Sequence, residues 1–128
     1  MSEATEKALL ESVPDGLFIG GEWSPAISGS TLDVHDPATG DVIRTIADAA
    51  VEDGSAALDA AVNAAEAWAK TPPRERGEIL RRTFDLVRER HDEVALLMTL
   101  EMGKPLAESK AEVTYGGEFL RWFSEEAV

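Results

Sequence analysis

The chain has no cysteine among its 128 residues. That absence excludes disulfides, thiolate metal sites and thiol nucleophiles from this sequence, and leaves the redox compartment open. Basic residues are also scarce, 12 Lys and Arg against 25 Asp and Glu, for a net charge of -13. Such a charge repels phosphate backbones and anionic lipid, so neither nucleic acid nor a membrane surface is expected as a partner. No apolar run approaches the length of a membrane span. Residues 1–15 carry Glu3, Glu6 and Glu11 where a secretory leader needs an uninterrupted apolar stretch, so the expected location is cytoplasmic. There are two histidines, His35 and His91, each followed by an aspartate, with no third residue at metal-ligand or triad spacing. No metal site is therefore expected. A glycine-rich turn able to cradle a phosphate is missing too.

What is present reads as β-ribbons followed by helices. Length alone gives one domain that buries roughly two thirds of its unfolded surface. Residues 4–13 have helical spacing, and Pro14-Asp15-Gly16 ends them. Leu17-Phe18-Ile19 and Glu22-Trp23-Ser24 flank Gly20-Gly21, a pair that accepts the positive φ angles of a two-residue hairpin turn. A second hairpin is predicted from Thr31–His35 and Val42–Ile46 around Asp36-Pro37-Ala38-Thr39-Gly40.

From about Glu52 the period becomes helical, with Leu58, Ala61, Val62, Ala65, Trp68 and Ala69 on one face that should pack closely. Pro72 and Pro73 mark the next start, and Ile79, Leu80, Phe84 and Val87 form the expected buried stripe of an Arg-rich helix laced with ion pairs. A break near His91 is predicted, with Asp92 as the cap of a helix bearing Val94, Leu97 and Met98. Gly103 fits a left-handed stop and Pro105 a restart. The last helix then carries Leu106, Val113, Leu120 and Phe123 at helical spacing, with Gly116-Gly117 leaving room for a close neighbour. Lys104, alone at the helix junction, reads as a solvated charge. Tyr115, Phe119, Trp122 and Phe123 crowd that last helix, and some must meet another surface. Tyr115 and Phe119, four apart, form the face able to line an apolar passage.

The order of these segments resembles the N-terminal region of the NAD(P)-dependent aldehyde dehydrogenases over residues 17–128. Leu17-Phe18-Ile19-Gly20-Gly21-Glu22-Trp23 is similar to that family's "I-N-G-x-W" hairpin, and Asp36-Pro37-Ala38-Thr39-Gly40-Asp41 to its "N-P-A-T-G-E" turn. Leu97 through Glu108, with Glu101-Met102-Gly103-Lys104-Pro105 at its centre, and Glu118 through Glu126 most resemble the succinate-semialdehyde branch.

The resemblance implies an α/β fold of which this is the N-terminal segment, two β-hairpins followed by about four helices, or α+β taken alone. It divides the chain into an N-terminal helix and turn (1–16) and the N-terminal part of a cofactor-binding domain (17–128) that stops in its last helix. It implies oxidation of succinate semialdehyde to succinate with NAD or NADP, in a homo-oligomer. It supplies no catalytic and no cofactor-binding residue here, because the family's nucleophilic Cys, base Glu, oxyanion Asn and nucleotide turn have no counterparts. The expected partners are the remainder of the same enzyme and a small aldehyde. Tyr115 and Phe119 are expected on the wall of the aldehyde channel. The alternative is an acidic helical module that binds a protein partner without enzymology.

Overall fold

A computed structural model describes residues 3–128. The first two residues of the 1–16 segment lie outside the described part. Two compact units divide the chain, Met1–Lys70 and Thr71–Val128.

In the first unit a helix α1 (Glu3–Ser12) leads into hairpin β1 (Leu17–Ile19) and β2 (Glu22–Ser24). The turn is made by Gly20 and Gly21, at φ of 63° and 92°, where a side chain would be strained. Leu17 therefore pairs with Ser24 and Ile19 with Glu22. The second hairpin joins β3 (Thr31–His35) to β4 (Val42–Ala47), with an irregularity at Val34/His35. Its turn closes through Gly40 N–H to the Asp36 carbonyl at 2.7 Å, while the Asp36 carboxylate accepts from Ala38 N–H at 2.7 Å.

The hairpins are separate two-stranded sheets, tied together by backbone and side-chain bonds. Ala47 N–H donates to the Asp15 carbonyl just before β1, while Asp48 N–H to the Ser30 carbonyl closes the open end of the second hairpin itself. Arg44 reaches from β4 to the Val13 carbonyl at 2.7 Å. Helix α2 (Val51–Lys70) follows. Its first turn is held by Asp53, which is 3% exposed. One carboxylate oxygen accepts from Ala50 N–H at 2.8 Å and the other from Ile27 N–H at 3.0 Å, so a single side chain caps the helix and anchors the loop after β2.

The expected close packing of α2's apolar face is not what the structure shows. Leu58, Val62 and Trp68 are all exposed, and Asp53 is the helix's one buried residue. The short strands β1 and β2 cannot cover a helix of 20 residues.

The second unit is three helices, α3 (Pro73–Glu89), α4 (His91–Met102) and α5 (Leu106–Glu126). The inner stripe of α3 is as predicted at Phe84, which is buried, with Leu80 and Val87 half-buried beside it; Ile79 is corrected, being half exposed, and Gly77 is buried in addition. On α4 the buried residues are Ala95 and Leu96, with Val94 turned outward. Asp92 is not a cap either. Arg90 links α3 to α4 at φ −100°, with no side-chain cap, and Asp92 lies in the first turn of α4.

Gly103 does adopt the left-handed stop, at φ 75°, and its N–H returns to the Thr99 carbonyl at 2.8 Å. On α5 the buried residues are Ser109, Val113, Gly117 and Ser124, and Phe123 points away from them. Small residues let the helices approach closely. A Cβ on Gly117 would touch Phe84 and Val87 at ordinary distance, and a Cβ on Gly77 would stand 2.7 Å from the Ser124 carbonyl oxygen.

Candidate functional site

The last helix carries the feature closest to a ligand surface. A helix turns about 100° per residue, so Tyr115, Phe119, Trp122 and Phe123 fall on one side of α5, roughly opposite Val113, Gly117 and Ser124. The exposures agree: Tyr115 67%, Phe119 48%, Trp122 56% and Phe123 55%. Packing α5 on α3 and α4 through its small residues leaves all four large aromatics outward. Tyr115 and Phe119 meet edge to face, with ring centroids 5.0 Å apart and planes at 89°, an arrangement the ring quadrupoles favour. Together with Trp122, Phe123, Glu118 and Arg121 they line a shallow depression of about 370 Å³. The pair predicted from its spacing is thus brought together. Arg121 holds the rim, donating to Glu118 at 2.7 Å and to Glu125 at 3.1 Å, and these carboxylates push its pKa up from the ordinary value, Glu118 foremost.

A second polar cluster joins the start of α4 to α5. One ring nitrogen of His91 lies 3.0 Å from an Asp92 carboxylate oxygen, and the other lies 3.0 Å from the Lys110 carbonyl and 3.1 Å from the Thr114 hydroxyl. Lys110 in turn reaches the same Asp92 oxygen at 2.9 Å. The sequence pointed to the His91-Asp92 pair but not to Lys110 and Thr114, about twenty residues further on. Their only advance signal is that they are four apart and so share a face of α5.

Lys110, by its hydrogen bond, and then His91 hold the Asp92 carboxyl below its ordinary pKa. A lowered folded-state pKa stabilises above the unfolded value and is lost as pH falls through the folded one. Lys110→Met should therefore move the Asp92 titration upward, toward the ordinary carboxylate range, as followed by side-chain carboxyl NMR. An unmoved titration would show that the ammonium contributes nothing.

Among the described residues His35 is not drawn into any such cluster; its ring nitrogen lies 3.1 Å from the Gly40 carbonyl, inside its own turn. Lys104 departs from the solvated charge expected of it and is ion-paired with Glu112. On α3 the expected lacing of ion pairs reduces, among the described residues, to Arg81 with Asp85 at 3.6 Å. Arg81 and Arg88 instead lie over the Phe84 ring, each 5.6 Å from its centroid. Among the described residues no three His, Asp or Glu side chains are grouped to hold a metal ion. The residues preceding α2, α3, α4 and α5 are Ala50, Pro72, Arg90 and Pro105. None opens a glycine-rich loop onto a helix N-terminus, so these residues do not fit a dinucleotide pyrophosphate.

Comparison with known proteins gives this geometry a setting. The sequence model of the Aldehyde dehydrogenase family matches residues 23–128. The chain is 63% identical over 87 residues to the succinate-semialdehyde dehydrogenase of Paenarthrobacter nicotinovorans, covering 68% of this chain and 19% of that protein. It is 45% identical over 109 residues to the NADP(+) succinate-semialdehyde dehydrogenase of Escherichia coli K12, covering 85% of this chain and 23% of that one. Among solved structures, the betaine aldehyde dehydrogenase of Staphylococcus aureus in complex with NAD+ superposes with a TM-score of 0.93 at 29% identity, over 95% of this chain and 25% of the other.

The chain thus spans about a fifth to a quarter of the length of these relatives. Two hairpins and the helices that follow reproduce a segment of their fold, as the ordered motifs implied. With the family's model matching more than four-fifths of its residues, the chain belongs to the aldehyde dehydrogenase family.

Proposed function

We propose that these residues are the N-terminal architecture of an NAD- or NADP-dependent aldehyde dehydrogenase that oxidises succinate semialdehyde to succinate. The carrying observation is the 63% identity over 87 residues to a succinate-semialdehyde dehydrogenase. The chemistry belongs to other residues of the complete polypeptide, because aldehyde oxidation in this family begins with a cysteine thiolate and this chain has no cysteine. The nicotinamide cofactor supplies the hydride acceptor when bound; this segment holds no part of its cradle. Residues 17–128 act as the front of the cofactor-binding domain, and 1–16 as a helix and turn leading into it. The remainder of the same enzyme covers part of the aromatic side of α5. Tyr115 and Phe119 face the aldehyde passage there, where an apolar wall strips water from the incoming carbonyl chain. The assembly is a cytoplasmic homo-oligomer.

The test compares the longest polypeptide encoded in frame with these residues and the 128-residue chain alone, following nicotinamide reduction with succinate semialdehyde and with its homologue one methylene longer. The long form should turn over the shorter substrate preferentially, and the isolated chain should be inert. Turnover by the isolated chain, or an inert long form, would overturn the reading. In the long form, Tyr115→Ala with Phe119→Ala should raise KM for the aldehyde on the order of tenfold with KM for the cofactor unchanged, the signature of lost substrate binding. Equal loss toward both ligands would remove these two residues from the passage.

A further inference from the structure

Between α3 and α5 runs a groove of about 380 Å³ that borders the His91–Thr114 cluster and shares Glu118 and Arg121 with the aromatic depression. Its floor is Phe84, Val113 and Gly117, all buried, and its rim carries Arg81, Arg88 and Arg121. In a chain of net charge -13, a concavity with three guanidiniums and Glu118 as its one carboxylate is a local reversal of sign.

The three cations are not equally satisfied. Arg121 is held by Glu118 and Glu125. Arg81 meets Asp85 at 3.6 Å, beyond hydrogen-bond length, with both side chains half exposed. Arg88 has no carboxylate within ion-pair distance among the described residues. Its guanidinium stacks on Phe84, and Arg81 occupies the same ring at the same distance. The ring contact draws both guanidiniums to one place; the Arg81 Nε also faces Asp85, whereas Arg88 keeps its N–H groups free of any carboxylate among the described residues. Two like charges held against one apolar ring repel, and a ligand bearing negative charge at both ends relieves that repulsion while meeting each fork with paired oxygens.

We propose that this groove binds a small dianion, with Arg88 and Arg81 as its two anchors. Carboxylate and phosphate oxygens both match a guanidinium fork, so the ligand is a short dicarboxylate or a compact phosphate, and the cavity has room for either. The site does not depend on the aldehyde chemistry proposed above.

The test is an amide NMR titration of the 128-residue chain with sodium phosphate and, separately, disodium succinate, at constant ionic strength with chloride as the reference. The Gly117 and Arg88 amides should shift saturably in the millimolar range with one of the two and not with chloride. Saturation by phosphate alone assigns a phosphate-bearing ligand, and by succinate alone a dicarboxylate. Arg88→Gln, at an exposed helix position, should weaken binding about tenfold, the loss expected for one charge-assisted anchor. Arg82→Gln, on the same helix but outside the groove, should leave it unchanged. Linear shifts with both salts, equal weakening by Arg82→Gln, or a Gly117 amide at its unstructured position would each overturn the proposal.

Discussion

Gly77→Val should destabilise the helical unit by about 3 kcal/mol, enough to remove most of the stability of so small a bundle. The reason is a backbone-to-backbone contact. A Cβ at this position would lie 2.7 Å from the Ser124 carbonyl oxygen and 3.6 Å from the Ala127 Cβ. A flexible side chain could swing aside, but the Ser124 carbonyl belongs to the backbone of the last turn of α5 and cannot move without shifting that turn.

The magnitude is decided against an opposing effect, since replacing a helical glycine ordinarily gains about 1 kcal/mol from reduced unfolded-state freedom. Gly116→Ala supplies that control. It sits in the same pair of helices, and a Cβ there meets nothing within 4 Å. Thermal unfolding followed by helical circular dichroism should show the first variant melting well below the parent and the second slightly above it. If Gly77→Val melted with the parent, the close crossing of α3 and α5 would be wrong.

The second large effect is expected at Asp53. Removing its carboxylate strands two N–H groups, those of Ile27 and Ala50, in a region where the aspartate itself is 3% exposed. Each orphaned donor costs about 1–3 kcal/mol when water cannot replace the acceptor, and the Ala50 bond also serves as a helix cap. Asp53→Ala should therefore cost about 3 kcal/mol in the unit that ends at Lys70. Asp53→Asn should recover part of it, since one amide oxygen can serve only one of the two donors well. Hydrogen exchange at Ile27 and Ala50 gives the direct reading. Protection there that survives the alanine change would mean the carboxylate is not the anchor.

How far the sequence foretold this structure differs from element to element. Both hairpins were legible because their turns need specific backbone angles that Gly20, Gly21 and Gly40 supply. Gly103 was legible for the same reason. The inward faces of the helices were legible only in part, at Phe84 and Val113. Hydrophobic periodicity looks for large apolar side chains, and it selected Ile79, Val94 and Phe123, all of which face outward. Beside the apolar Phe84, Leu96 and Val113, the bundle relies on Gly77, Ser109, Gly117 and Ser124, residues that carry little hydropathy but permit close approach.

The same limit governs the site. Tyr115 and Phe119 could be paired from their spacing, because a helix repeats locally. His91 with Lys110 and Thr114 depends on how α4 and α5 meet, and that is set by contacts no local pattern contains, whereas Arg81 and Arg88 around Phe84 follow the helical repeat of α3 itself.

The three indoles also have a consequence for observing this protein. Trp23, Trp68 and Trp122 are each about half exposed, so their combined emission belongs to the long-wavelength range of hydrated indole. Trp122 shares its depression with Tyr115 and Phe119. With Trp23 and Trp68 replaced by phenylalanine, its colour alone would report the moment that side of the last helix is wetted or covered.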